Sequence, residues 1–154
     1  IKINIPKENK YLDMSKLICN SNSVAVCYRE FEDVPDLNKG TGGITSLEYY
    51  FSAIKIIKTK ISNPTFFIFS TVEFDALKKL DFGENFYFIN ADNGFEGTIE
   101  TLWLMKQCKN HIIGNSSFHW WGASLAENKY SESTIIASNN FPNKNTIPDR
   151  WIKI

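Results

Sequence analysis

Asn110-His111-Ile112-Ile113-Gly114-Asn115-Ser116-Ser117-Phe118 reads as a strand that ends in a turn and opens a helix. The β-branched pair Ile112-Ile113 suits a buried strand, and Gly114 permits a tight turn after it. Ser116 and Ser117 then stand where a helix begins, ahead of Trp120 to Glu127. The unpaired N–H groups of a helix start attract anions, and hydroxyls beside them add donors, so a diphosphate fits this turn. The same serines also fit the ordinary role of a helix cap.

Outward from this unit, four more short apolar runs alternate with helical patterns: 23–28, 65–70, 85–89 and 133–137. They are β-branched or aromatic and nearly continuous, as strands covered on both faces are. Between the first two, Leu47, Tyr50, Phe51, Ile54, Ile57 and Ile61 recur at helical spacing. Ser46 suits the N-cap, Lys58 and Lys60 the C-terminal end, and Asn63-Pro64 the stop. Phe74, Leu77 and Leu80 predict a second helix, and Ile99 to Cys108 a third. An early helix over Leu12 to Ile18 precedes the first strand. The alternation predicts an α/β domain with a parallel sheet joined by right-handed crossovers. The tail around Trp151 and Ile152 is expected to pack back on the fold.

Ligands of such sheets sit at the carboxyl ends of the strands, which here means the loops after Tyr28, Ser70 and Ile113. The longest connection, Asp33 to Gly43, reads as a mobile loop on that edge. Arg29 stands directly after the first strand and offers a planar fork for phosphate. It also suits a surface pair with Glu30, Glu32 or Asp33. Those acids themselves read either as a general base or as a solvated loop. Trp120 and Trp121 suit either stacking on a sugar or base, or core packing.

The composition narrows the partners. The 154 residues suit one core-bearing domain, and 17 basic against 17 acidic residues leave no basic excess for nucleic acid. Cys19, Cys27 and Cys108 are odd in number and widely spaced, which is not a disulfide framework, and a reducing compartment is expected. His111, His119 and Cys108 match no zinc spacing, so no metal is expected. The chain opens on Ile1, and it is expected to be one domain of a longer protein.

The stretch from Leu104 to Ala123, LMKQCKNHIIGNSSFHWWGA, resembles the C-terminal signature of glycosyltransferase family 11, which reads LM..C.H.I..NSSFSWWGA. Weaker likenesses follow in the right order: Ser46 to Tyr50 with Ala53-Ile54, Phe66 to Ser70, and Ile147 to Ile154. These are the α-1,2-fucosyltransferases, whose fold is two-lobed, of GT-B type. The resemblance implies that this chain is the Rossmann-like C-terminal lobe, with the N-terminal lobe absent. It implies GDP-fucose as donor, a galactoside glycan as acceptor, inversion at the sugar, and no cofactor or metal.

Residue by residue, the resemblance implies that Arg29 acts on the β-phosphate as the catalytic cation. Asn115, Ser116, Ser117 and Phe118 would hold the donor's other oxygens, and Glu100 would contact the guanine. The family's HxRRGD motif aligns with Cys27-Tyr28-Arg29-Glu30-Phe31-Glu32, which keeps the first Arg alone. Its acidic position before the last motif falls on Thr101, and an acidic pair after the second strand becomes Thr71-Val72. Two other readings remain at this point: a GT-B transferase of another nucleotide sugar, and a degenerate, non-catalytic sugar-nucleotide-binding domain. The expected setting is bacterial surface-polysaccharide synthesis, with peripheral association at the cytoplasmic face of the membrane.

Overall fold

The computed structural model describes residues 2–30 and 43–154. The expected mobile loop lies outside the described residues, apart from Gly43. In chain order the elements are α1 (Asn9–Cys19), β1 (Asn22–Cys27), α2 (Leu47–Lys60), β2 (Pro64–Phe69), β3 (Phe86–Ile89), α3 (Thr98–Met105), β4 (Asn110–Ile113), α4 (Ser117–Glu127), β5 (Ile135–Ala137) and β6 (Ile152–Lys153). The strands form one sheet in the order β3-β2-β1-β4-β5-β6, and every pairing is parallel. This is the parallel α/β sheet that the alternating pattern predicts, in the Rossmann-like arrangement with flanking helices that the resemblance implies.

Alternation along the strands builds two cores. Ala25, Cys27, Phe67, Phe69, Ile113 and Ala137 face α1, α3 and α4. Val24, Val26, Phe66, Ile68, Ile112 and Ile136 face α2. Helix α2 forms because Ser46 Oγ accepts the Tyr49 N–H, and because Tyr49, Tyr50, Ala53, Ile54 and Ile57 make one buried stripe. Each large side chain of that stripe contributes about 1.5–3 kcal/mol of burial. Phe51, expected on this stripe, is instead exposed, and Tyr49 takes the buried place. The helix ends where Asn63 turns left-handed (φ 46°) and Pro64 enters β2.

Three expectations are corrected. Phe74, Leu77 and Leu80 do not make an α-helix but a single 3-10 turn, Leu77–Lys79. Its N–H groups bond three residues back, from Leu77 to Phe74 and from Leu80 to Leu77. A strict spacing of three is the period of that tighter helix. Strand β3 is an edge strand, and Phe86 and Tyr87 are each 40% exposed. A sixth strand exists: Ile152 and Lys153 pair with Ile136 and Ala137. Two residues carry no readable period, so only the packing of the tail was legible.

Candidate functional site

Strand β4 lies beside β1, although β2 and β3 come between them in the chain. The chain therefore changes direction across the sheet between β1 and β4, and a crevice opens at the carboxyl ends there. A cavity of about 350 Å³ occupies it. Tyr28 and Arg29 line it from the end of β1, Phe69, Ser70 and Thr71 from β2, and Ser116, Phe118 and His119 from the start of α4. Glu96, Thr98 and Thr101 close it from the side of α3.

The turn after β4 is held by a polar cluster. Thr45 Oγ1 accepts the Asn115 N–H at 2.9 Å and donates to Asn140 Oδ1 at 3.1 Å. The side-chain amides of Asn115 and Asn140 both donate to the Gly43 carbonyl, at 3.3 and 3.0 Å. Tyr50 Oη donates to the Cys27 carbonyl at 2.8 Å, just ahead of Tyr28 and Arg29. Gly114 is needed here for space. A Cβ on it would lie 2.5 Å from Tyr50 Oη and 3.0 Å from Thr45 Oγ1.

Ser116 occupies the N-cap of α4 with extended backbone, yet its side chain makes no capping bond. The cap role that the serines fit in sequence is therefore not taken up by Ser116. Its hydroxyl belongs to the cavity wall, and the residue is 8% exposed. The Ser116 side chain leaves the N–H groups of the helix start uncapped, at the end of the dipole that favours anions. Arg29 lines the same space and lies close enough to His119 to act on its charge. Burial first, and then the Arg29 cation, push the His119 imidazole down to about 3, so the ring is neutral. Burial pushes the Tyr28 phenol up, as does its hydroxyl's 2.6 Å bond to Glu30.

The structure thus brings Arg29, Ser116 and Phe118 together. Ser117 is exposed at the first turn of α4 and does not line the cavity. Asn115 serves the polar cluster instead. Glu100 does not line the cavity either; its carboxylate lies against Gly97 in the first turn of α3. Glu96 is the carboxylate on the wall. Sequence reasoning missed it because the carboxyl-end rule was applied to three loops and not to the one after β3. Glu32 and Asp33 lie outside the described residues.

Among the described residues, no three His, Cys, Asp or Glu side chains gather as a metal-binding group. His111 is buried in β4 with Nε2 3.0 Å from the Met105 carbonyl. Neither tryptophan lines the cavity. Trp120 packs on Trp151 and donates to the Thr146 carbonyl, while Trp121 is 44% exposed.

Residues 2–152 match the model of glycosyl transferase family 11. The chain belongs to that family. It is 31% identical over 163 residues to an alpha-1,2-colitosyltransferase of Escherichia coli, a match covering 99% of this chain and 53% of that protein. It is 27% identical over 146 residues to the O-antigen biosynthesis glycosyltransferase WbnK of Escherichia coli, covering 90% of this chain and 47% of the relative. The chain spans about half the length of the curated relatives it matches. No solved structure matches it.

The family 11 signature from Leu104 to Ala123 covers the end of α3, all of β4, the turn and the first half of α4. Most of it serves packing: Leu104, Met105, Cys108, Ile112, Ile113 and Ala123 are fully buried. Gly122 is likewise set by space, since a Cβ there would strike Met105 of α3. The part that reaches the cavity is Met105, Ser116, Phe118 and His119.

Proposed function

We propose that this chain is the donor-binding domain of an inverting α-1,2-fucosyltransferase of GT-B type, moving L-fucose from GDP-fucose to a galactoside hydroxyl in surface-glycan synthesis. One observation carries the reading: the uncapped start of α4 and Arg29 line one cavity at the sheet's switch point. The relatives, a colitosyltransferase and an O-antigen biosynthesis glycosyltransferase, support glycan synthesis.

In the proposed reaction the acceptor oxygen bonds to the anomeric carbon while its proton passes to solvent water. The bond from that carbon to the β-phosphate oxygen breaks, and GDP leaves with the electron pair. Negative charge therefore grows on the diphosphate, and fixed donors aimed at it lower the barrier. Arg29 supplies the cation, and the N–H groups at Ser117 and Phe118, with the Ser116 hydroxyl, supply neutral donors. Glu96 takes the base-reading role that the sequence suggested for Glu100, because a carboxylate accepts both N–H groups of a guanine edge. With this charge on hand, no metal is required. The acceptor is held in part by a second lobe, and association with the cytoplasmic face of the membrane is peripheral.

A second reading is favoured by the colitosyltransferase relative and by the single Arg retained in the first motif: the same chemistry with another donor sugar. A thermal-shift panel of GDP, UDP, ADP and their sugars, with and without EDTA, tests both. GDP is expected to raise Tm most, with or without chelator. Equal shifts from all three nucleotides remove the guanine assignment.

A further inference from the structure

The cavity holds one polar ring that the proposed reaction does not use. His119 stands in the first turn of α4, is 5% exposed, and lines the cavity beside Ser116 and Phe118. Its Nδ1 is buried and has no hydrogen-bond partner. A sealed N–H without an acceptor is among the rarest features of a folded protein. The ring's single proton therefore belongs on Nε2, the nitrogen left to serve the cavity.

The neighbours define what the ring can meet. Among the described residues, the charged groups on the cavity wall are Arg29, from the end of β1, and Glu96, ahead of α3. From α3 come Thr98, Thr101 and Met105, and from the end of β2 come Ser70 and Thr71, all uncharged. The start of α4 adds the positive end of its dipole. Cation, helix start and imidazole N–H converge on one space, and a single kind of ligand suits all three: a multiply charged anion.

We propose that His119 is a ligand contact of this site, its Nε2–H donating to an anionic oxygen of the donor's diphosphate. This rests on the reading of the cavity as a diphosphate site. A consequence follows from charge. Burial and the Arg29 cation keep the ring neutral in the free protein. Because the sealed Nδ1 offers a second proton no acceptor, the ring stays neutral with the diphosphate bound.

The chain has two histidines, so the test is direct. Long-range proton–nitrogen NMR of the wild-type protein shows both rings, with His111, buried against Met105, as internal control. Titration with GDP is expected to shift the His119 ring nitrogens and leave those of His111 in place. The His119 ring is expected to keep the nitrogen shift pattern of a neutral imidazole protonated on Nε2, with and without GDP. His119→Ala should weaken GDP binding roughly tenfold. His119→Gln, whose side-chain amide also donates, should restore most of the affinity. GDP binding that leaves the His119 nitrogens unmoved overturns the proposal while Arg29→Ala still reports on the diphosphate site. If GDP does not bind, the reading of the cavity fails and this inference fails with it.

Discussion

Arg29 and Ser117 sit at two levels of involvement. Arg29 is on the cavity wall, whereas Ser117 is exposed and off it. A bidentate guanidinium–phosphate contact is stronger than a single hydroxyl bond. Arg29→Ala is therefore expected to weaken GDP binding by about 1.5–3 kcal/mol, and Ser117→Ala by less. Equilibrium titration of both variants checks this; normal GDP binding by Arg29→Ala would make that residue a surface cation only. The arginine was legible in sequence because it directly follows a strand. Glu96 was not, because nothing in its own neighbourhood marks it. Its place on the wall depends on where β3 ends relative to α3.

Two serines begin helices, and they differ. Ser46 accepts the Tyr49 N–H at 3.3 Å, while Ser116 makes no side-chain cap bond. Ser46→Ala is expected to cost about 0.5–2 kcal/mol of unfolding free energy. Ser116→Ala is expected to cost less stability but to weaken anion binding. Urea unfolding of the two variants measures the difference, and equal destabilisation would mean that Ser116 is a cap after all. The elements show where local pattern suffices. Helix α2 has a cap, a stripe and a proline stop within its own residues, and it forms near its expected bounds. The pattern around the 3-10 turn at Leu77–Lys79 rests on Phe74, Leu77 and Leu80 alone, and a spacing of three fits two kinds of helix.

The whole molecule carries two buried histidines, and these set its response to acid. His111 is pushed down to about 4 and His119 to about 3, in both cases chiefly by burial, from an ordinary 6.5. Between pH 6.5 and those values the unfolded chain binds protons that the folded chain refuses. Stability is thus full above pH 6.5 and falls as pH drops below it, by at most about 1.4 kcal/mol per pH unit for each ring. Glu127 adds a separate loss at lower pH. Its carboxyl accepts from Arg150 and Trp151, which holds it below its ordinary 4.5. Urea unfolding at pH 7.5 and 5.5 isolates the histidines, and a flat profile would mean that the rings are charged in the folded state. A second expectation concerns catalysis. Transfer needs donor and acceptor held in reacting geometry, and this chain spans about half of its curated relatives. The isolated 154-residue chain is expected to bind GDP weakly and to move no fucose to lactose. Mass-spectrometric transfer assays on this chain and on a full-length counterpart decide it; robust transfer by the chain alone would overturn the division into lobes.

By itself the sequence determined the alternation of strands and helices, the parallel sheet and the family, since apolar period, caps and a long signature are all local in the chain. Only the tertiary structure decided which residues of the motif meet a ligand. The strand order brings the end of β1 against the start of α4, although Ser116 comes 87 positions after Arg29. It also decided that Asn115 serves Thr45 and Gly43, that Glu96 replaces Glu100 on the wall, and that His119 faces a cation. The physical reason is that burial and charge at a site are sums over neighbours from several elements, and no single stretch of sequence contains those neighbours.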